Sequence, residues 1–276
     1  MRRTVTISES RPRHVLLRVA LFWVAYFAIL LLASVAKSAA PPKWGQIVWG
    51  LTSSVALVAL TLFMLQREGR SAKDVGLGVS RGTIARFLLG ALVGIFAYMF
   101  SVAAIAVLVG PIHFSRVAGP SVSGIRLTVC SYLALSLMEE IGLRGYPLRT
   151  LDARFGLAWA MVAAAGVTAL SHLAFGWAWP TVVMGVVPGA LLFAAAAIAS
   201  RGLAMPIGLH AALNIARWIA GETDSAGLWT LVVEEGVRGR LITWAPLIGL
   251  VASSMVTAAL LFWHVRHRPS VQVAPV

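Results

Sequence analysis

The sequence predicts an all-α protein: a polytopic membrane bundle of about eight transmembrane helices. Three observations carry this. Apolar runs near 20 residues, the length a helix needs to cross about 30 Å of hydrocarbon, recur along the whole chain. Only 12% of the 276 residues are charged and 59% are hydrophobic, far from the composition of soluble domains. The basic residues that give a net charge of +13 sit in short loops between the apolar runs, where they read as topology signals and not as a nucleic-acid surface.

The first apolar run, 15–36, follows Arg2, Arg3, Arg11 and Arg13 and has the look of a signal peptide. It is longer than an h-region of roughly 7–15 residues, so it reads as a retained span. Further spans are expected at 45–65, 84–110, 125–146, 156–174, 180–200, 203–221 and 241–265. They form one domain over 15–265, with a motif-bearing core at 125–221 and polar tails at 1–14 and 266–276. Gly90 and Gly94, and likewise Gly185 and Gly189, have the spacing of close helix contacts and are assigned to packing within the monomer. Cys130, the single cysteine, can form no internal disulfide and reads as a small buried hydrophobe.

Orientation follows from the Lys/Arg distribution. The N-terminal tail with Arg18, 67–86, 144–154, Arg201, Arg266 and Arg268 hold 16 of the 23 basic residues and fall on one side. Lys37, Lys43, Arg116, Arg126, Arg238 and Arg240 fall on the other, with Glu222, Asp224, Glu234 and Glu235. The positive-inside rule then predicts a multi-pass protein of the cell membrane with both termini in the cytoplasm.

With loops set aside, the ionisable groups inside apolar segments are Glu139, Glu140, Arg144, His172, His210 and Arg217. A central charge costs at least about 2.5 kcal/mol on insertion scales, so each needs an interior partner or an aqueous cavity and is a functional candidate. Glu140 and Arg144 are four apart and can pair on one helix face. Glu139 is rotated about 100° from Glu140, and its i−4 and i+4 neighbours, Leu135 and Leu143, offer no charge. Its carboxylate is therefore free to act as a general base or acid, although both glutamates could instead serve interfacial arginines.

His172 alone reads as either a packing residue or a catalyst. His210 and Asn214 stack on one helix face, where they can orient a water, bind a metal through the imidazole, stabilise an oxyanion or simply bridge helices. Arg217 could face the same cavity and bind a substrate carboxylate, or snorkel to the interface.

Glu139 and His172 lie about equally far from the turn at Arg154 to Gly156, so an antiparallel hairpin would place them at similar depth. His210 is only nine residues from Arg201, roughly 13 Å of helix, which conflicts with that depth. Either the hairpin protrudes into the cytoplasm, or Pro147 breaks the fourth helix so that 148–155 lies along the interface.

Glu139-Glu140-x-x-x-Arg144, His172 and His210-x-x-x-Asn214, in that order on successive apolar helices, resemble the CAAX protease and bacteriocin-processing (CPBP) family, the type II CAAX prenyl endopeptidase-like intramembrane proteases. The resemblance covers about 139–214, with a similar loop upstream at Asp74-Val75-Gly76-Leu77-Gly78. It implies that Glu139 and His172 activate water, that His210 and Asn214 stabilise the oxyanion, and that Glu140 and Arg144 form a supporting ion pair. Zn²⁺ held by Glu139, His172 and His210 and a metal-free glutamate mechanism both fit these residue types. One departure is Thr168, where the family often carries Phe four residues before the histidine.

The expected function is therefore an intramembrane endopeptidase acting on a membrane-associated protein or peptide. The competing readings are a non-catalytic immunity or scaffold protein, which would need no free Glu139, and a transporter, for which no inverted repeat is evident.

Overall fold

The computed structural model describes residues 11–117, 120–223 and 226–267. Most of the two expected tails, with Arg2, Arg3, Asp224 and Arg268, lies outside the described residues. In chain order the helices are α1 (Pro12–Ala39), α2 (Gly45–Glu68), α3 (Thr83–Leu108), α4 (Val122–Glu140), α5 (Tyr146–Phe155), α6 (Leu157–Ala174), α7 (Trp179–Thr181), α8 (Val187–Ser200), α9 (Ala204–Ile219) and α10 (Glu235–Arg266). Each of the eight segments expected to span is helical. Six helical stretches are long and apolar enough to cross a membrane: α1, α2, α3, α6, the α7–α8 stretch and α10. α4 and α9, which carry the polar motifs, are not among them. α4 packs against α2 and α9, and α9 against α3, α4 and α8.

The main core joins α1, α2, α4, α5, α6 and α8, with Phe22, Tyr26, Leu57, Met138, Leu148 and Ala164 in one cluster. The run Ala194 to Ala197 is fully buried, its small side chains letting neighbouring helices approach closely. On the other side α3 crosses α9 almost backbone to backbone. A Cβ on Gly90 would meet Met205 O at 2.0 Å, and one on Gly208 would meet Phe87 O at 2.1 Å. Gly90 and Gly94 thus serve packing within the monomer, as their spacing suggests, whereas Gly185 has nothing within 4 Å. Cys130 is exposed, contrary to the sequence reading, because it lies on the outward face of α4.

The fourth span does break before Pro147. After Glu140 the chain widens into one π-helical turn, Ile141–Gly145, and at Gly145 (φ −74°, ψ −111°) it leaves helical geometry. α5 restarts with Pro147 in its first turn, where the missing N–H costs no helical hydrogen bond. Because 140–157 is not one continuous hairpin arm, equal residue counts from the turn no longer fix the relative depths of Glu139 and His172.

α5 is anchored at the Arg67–Arg86 end of the bundle. Glu68, 7% exposed, pairs with Arg70 at 2.9 Å and Arg18 at 3.3 Å and accepts a hydrogen bond from the Tyr146 hydroxyl. Arg70 also donates to Thr150 (2.9 Å), so one carboxylate ties α1, α2 and α5 together. Nearby, the Asp74–Gly78 loop docks on the α8–α9 turn. Asp74 accepts from Ser71 N (2.8 Å), and Gly76, at φ +80°, accepts from Leu203 N (3.1 Å). A Cβ at Gly76 would meet Gly202 at 3.1 Å, so glycine suits both the conformation and the approach.

At the opposite end the α3–α4 and α9–α10 connections pair as a two-stranded antiparallel ribbon, β1 (Ile112–Arg116) with β2 (Trp229–Val233). The sequence reading left these residues in loops, although Ile-His-Phe-Ser-Arg carries a period-two alternation.

Candidate active site

The centre of the site is built by α4 and α9. Glu140 and Arg144 are fully buried and paired at 3.3 Å, the i, i+4 contact continuing into the π turn. From α9, His210 places Nδ1 3.0 Å from the same Glu140 oxygen, Oε1. An ionised carboxylate only accepts, so His210 donates through Nδ1–H, which fixes its tautomer and leaves Nε2 directed away from Glu140.

The aromatic ring of Phe193 on α8 supports both partners. His210 stacks on it (centroids 4.3 Å apart, 15° between planes), and the Arg144 guanidinium lies 5.5 Å from its centroid. Arg144 also donates to Ala190 O at 3.3 Å. Three helices therefore converge on one chain of groups, Arg144–Glu140–His210. Glu140 Oε2 is buried with no hydrogen-bond partner among the described residues, a polar atom available to water or a ligand.

Glu139 is half-buried and makes no hydrogen bond or ion pair among the described residues. Its carboxylate lies within electrostatic reach of the fully buried Tyr26, as do Glu140 and Arg144. The Tyr26 ring occupies the space a side chain at position 142 would need: a Cβ there would stand 2.4 Å from the ring. The glycine two residues after Glu140 thus lets Tyr26 pack beside the two carboxylates. Tyr26 and Phe193 escaped the sequence reading because apolar and aromatic residues in a membrane chain carry no local signal of function.

His172 sits near the end of α6, half-buried, with Nδ1 2.9 Å from Thr168 O. A carbonyl accepts, so Nδ1 carries the proton and Nε2 is free as a base or ligand. The bond is to backbone, so it does not depend on the side chain at position 168. The ring also makes an edge contact with Trp177 (4.9 Å, 87°). Asn214 lies one turn beyond His210 on α9, half-buried, and likewise makes no hydrogen bond among the described residues. Arg217 is 46% exposed and pairs with Glu222 at 3.6 Å, so its charge is engaged outside this cluster.

The structure thus joins Glu140, Arg144 and His210 directly. No hydrogen bond or ion pair connects Glu139, His172 or Asn214 to them or to one another among the described residues. Nor do three or more His, Cys, Asp or Glu side chains gather closely enough to hold a metal ion among the described residues. As placed, Glu139, His172 and His210 do not form a zinc ligand set.

Residues 120–216 match the protein family described as Type II CAAX prenyl endopeptidase Rce1-like. The match spans α4 through most of α9 and includes every residue of the polar cluster. Over that stretch the chain is similar to this family. No curated protein matches it.

Proposed function

We propose that this protein, whose Rce1-like stretch implies a protease, is an intramembrane endopeptidase in which Glu139 activates water to cleave a peptide bond of a membrane-associated protein or peptide. The observation that carries the reading is the division of labour between two adjacent glutamates. Glu140 is consumed by Arg144 and His210 in a buried network, while Glu139 is left unpaired beside it.

In the proposed step the Glu139 carboxylate takes a proton from water as its oxygen attacks the scissile carbonyl carbon. Negative charge then develops on the carbonyl oxygen, where the Asn214 amide donates, and His210 also donates when it enters the step as imidazolium, its second proton taken from solvent. Glu140 holds His210 by its Nδ1–H, so the ring presents Nε2 without a rotational search. Collapse of the tetrahedral intermediate breaks the C–N bond, and the proton held by Glu139 passes to the leaving amine. His172, with Nε2 unprotonated, is the second base for the water. The oxygen and both hydrogens of water end on the two products, a carboxylic acid and an amine, which then exchange a proton to become carboxylate and ammonium.

The same reading places the protein as a multi-pass protein of the cell membrane with both termini and the 67–86 loop cytoplasmic, because those segments hold most of the basic residues. A binding-only scaffold would share the buried network but has no use for the unpaired Glu139.

The test is cleavage of membrane-protein substrates by the purified protein in lipid vesicles, read by peptide mass. Glu139→Gln, His172→Ala and His210→Ala should each abolish cleavage while folded protein persists in the membrane. Asn214→Ala should reduce the rate by about 10²–10³, the scale of losing one oxyanion donor. Wild-type cleavage by Glu139→Gln would overturn the mechanism.

A further inference from the structure

A cavity of about 740 Å³ lies on the other side of α9 from the polar cluster. Its walls are almost wholly apolar. α9 contributes Ala211 and Ile215, each one residue beyond His210 and Asn214 and so rotated about 100° from them around the helix. The cavity and the candidate active site thus occupy different faces of one helix. α3 lines it with Tyr98, whose hydroxyl is already held by Glu222 at 2.7 Å, and α4 lines it with Val129 and Leu133.

The ribbon covers one end. Phe114 of β1 and Trp229 of β2 line the cavity, so this face of the ribbon turns inward. Arg116 is two residues from Phe114 and directly opposite Trp229 in the register, which puts it on the same face. On α4, Arg126 is three residues before Val129 and seven before Leu133, the helical spacing of one face, and stands about one turn beyond the apolar wall. Both arginines are exposed, and neither makes a hydrogen bond or ion pair among the described residues. Arg217, by contrast, is matched by Glu222. An apolar chamber in the roughly 300–1,000 Å³ range of ligand sites therefore carries two unmatched cations at its ribbon end.

We propose that this chamber binds an anionic phospholipid of the surrounding bilayer, one acyl chain lying between α3, α4 and α9 and the headgroup phosphate between Arg116 and Arg126. The charge at the rim selects the occupant. A neutral peptide or a second copy of the chain would bury the guanidinium groups without a counter-charge, whereas a phosphate accepts from both through their forked donors. The site is independent of the proposed peptide cleavage and needs no catalytic residue.

Native mass spectrometry of the detergent-purified full chain, titrated with phosphatidylglycerol or phosphatidylcholine of identical acyl chains, tests it. One phosphatidylglycerol should be retained in preference to phosphatidylcholine. Arg116→Gln/Arg126→Gln, at two exposed positions that leave the core untouched, should weaken that retention by about tenfold or more, the order set by two cations near an anionic headgroup. Ala212→Phe, which fills the chamber, should displace both lipids. Equal retention of the two lipids, undiminished retention by the double glutamine variant, or a dimer in place of the lipid adduct would each overturn the proposal.

Discussion

Glu140 and Arg144 are both fully buried, and each is the other's main charge partner. Breaking such a pair from one side leaves an uncompensated ion, at a cost of about 3–5 kcal/mol. Glu140→Gln and Arg144→Met should therefore lower the yield and thermal midpoint of the purified protein well below those of Glu139→Gln, measured in the same detergent. Phe193→Ala should act differently, since it removes the ring beneath His210 and Arg144 without stranding a charge. The i, i+4 spacing made the Glu140–Arg144 contact legible from the chain alone. The Glu140–His210 contact joins residues 70 positions apart and depends on how α4 meets α9, for which periodicity offers no guide. Sequence spacing accordingly separates the two glutamates but gives His210 no carboxylate partner.

Helix contacts here are set by where glycine allows backbones to touch. The four-residue glycine spacing is equally visible at Gly90 and Gly185, yet only the first is used, because what matters is the partner helix and not the spacing itself. Gly208, which carries no such signature, is as tightly enclosed as Gly90. Gly208→Ala would drive a methyl group into the backbone of α3, which cannot move aside as a side chain can, and should cost about 1–3 kcal/mol. Gly185→Ala meets open space and should change stability by no more than about 0.5 kcal/mol. Comparing the thermal midpoints of the two variants checks both expectations. Because His210 lies two residues from Gly208, the first substitution should also reduce any cleavage more than the second. The eight helical segments were readable as apolar runs bounded by basic loops, although α4 and α9 fall outside the six long and apolar enough to cross a membrane. The ribbon was not, because two five-residue strands separated by six helices gain their alternation's meaning only once paired.

At the scale of the molecule, the apolar windows of α3 and α10 have only 6% of their residues buried inside the protein, so hydrocarbon must cover the rest. That makes α3 a boundary with a testable sidedness. Ser71 lies in the exposed turn before it and Ser115 on the outward, polar face of the ribbon after it, so one span separates them. A helix of 26 residues rises about 39 Å, enough to cross a bilayer with some tilt. The positive-inside rule puts Ser71, among Arg67, Arg70, Lys73, Arg81 and Arg86, in the cytoplasm. In a Cys130→Ala background, which removes the exposed native thiol, Ser115→Cys should react with a membrane-impermeant maleimide added to intact cells. Ser71→Cys should react only after permeabilisation. The reverse pattern would invert the orientation, and labelling of both from outside would mean that α3 does not span.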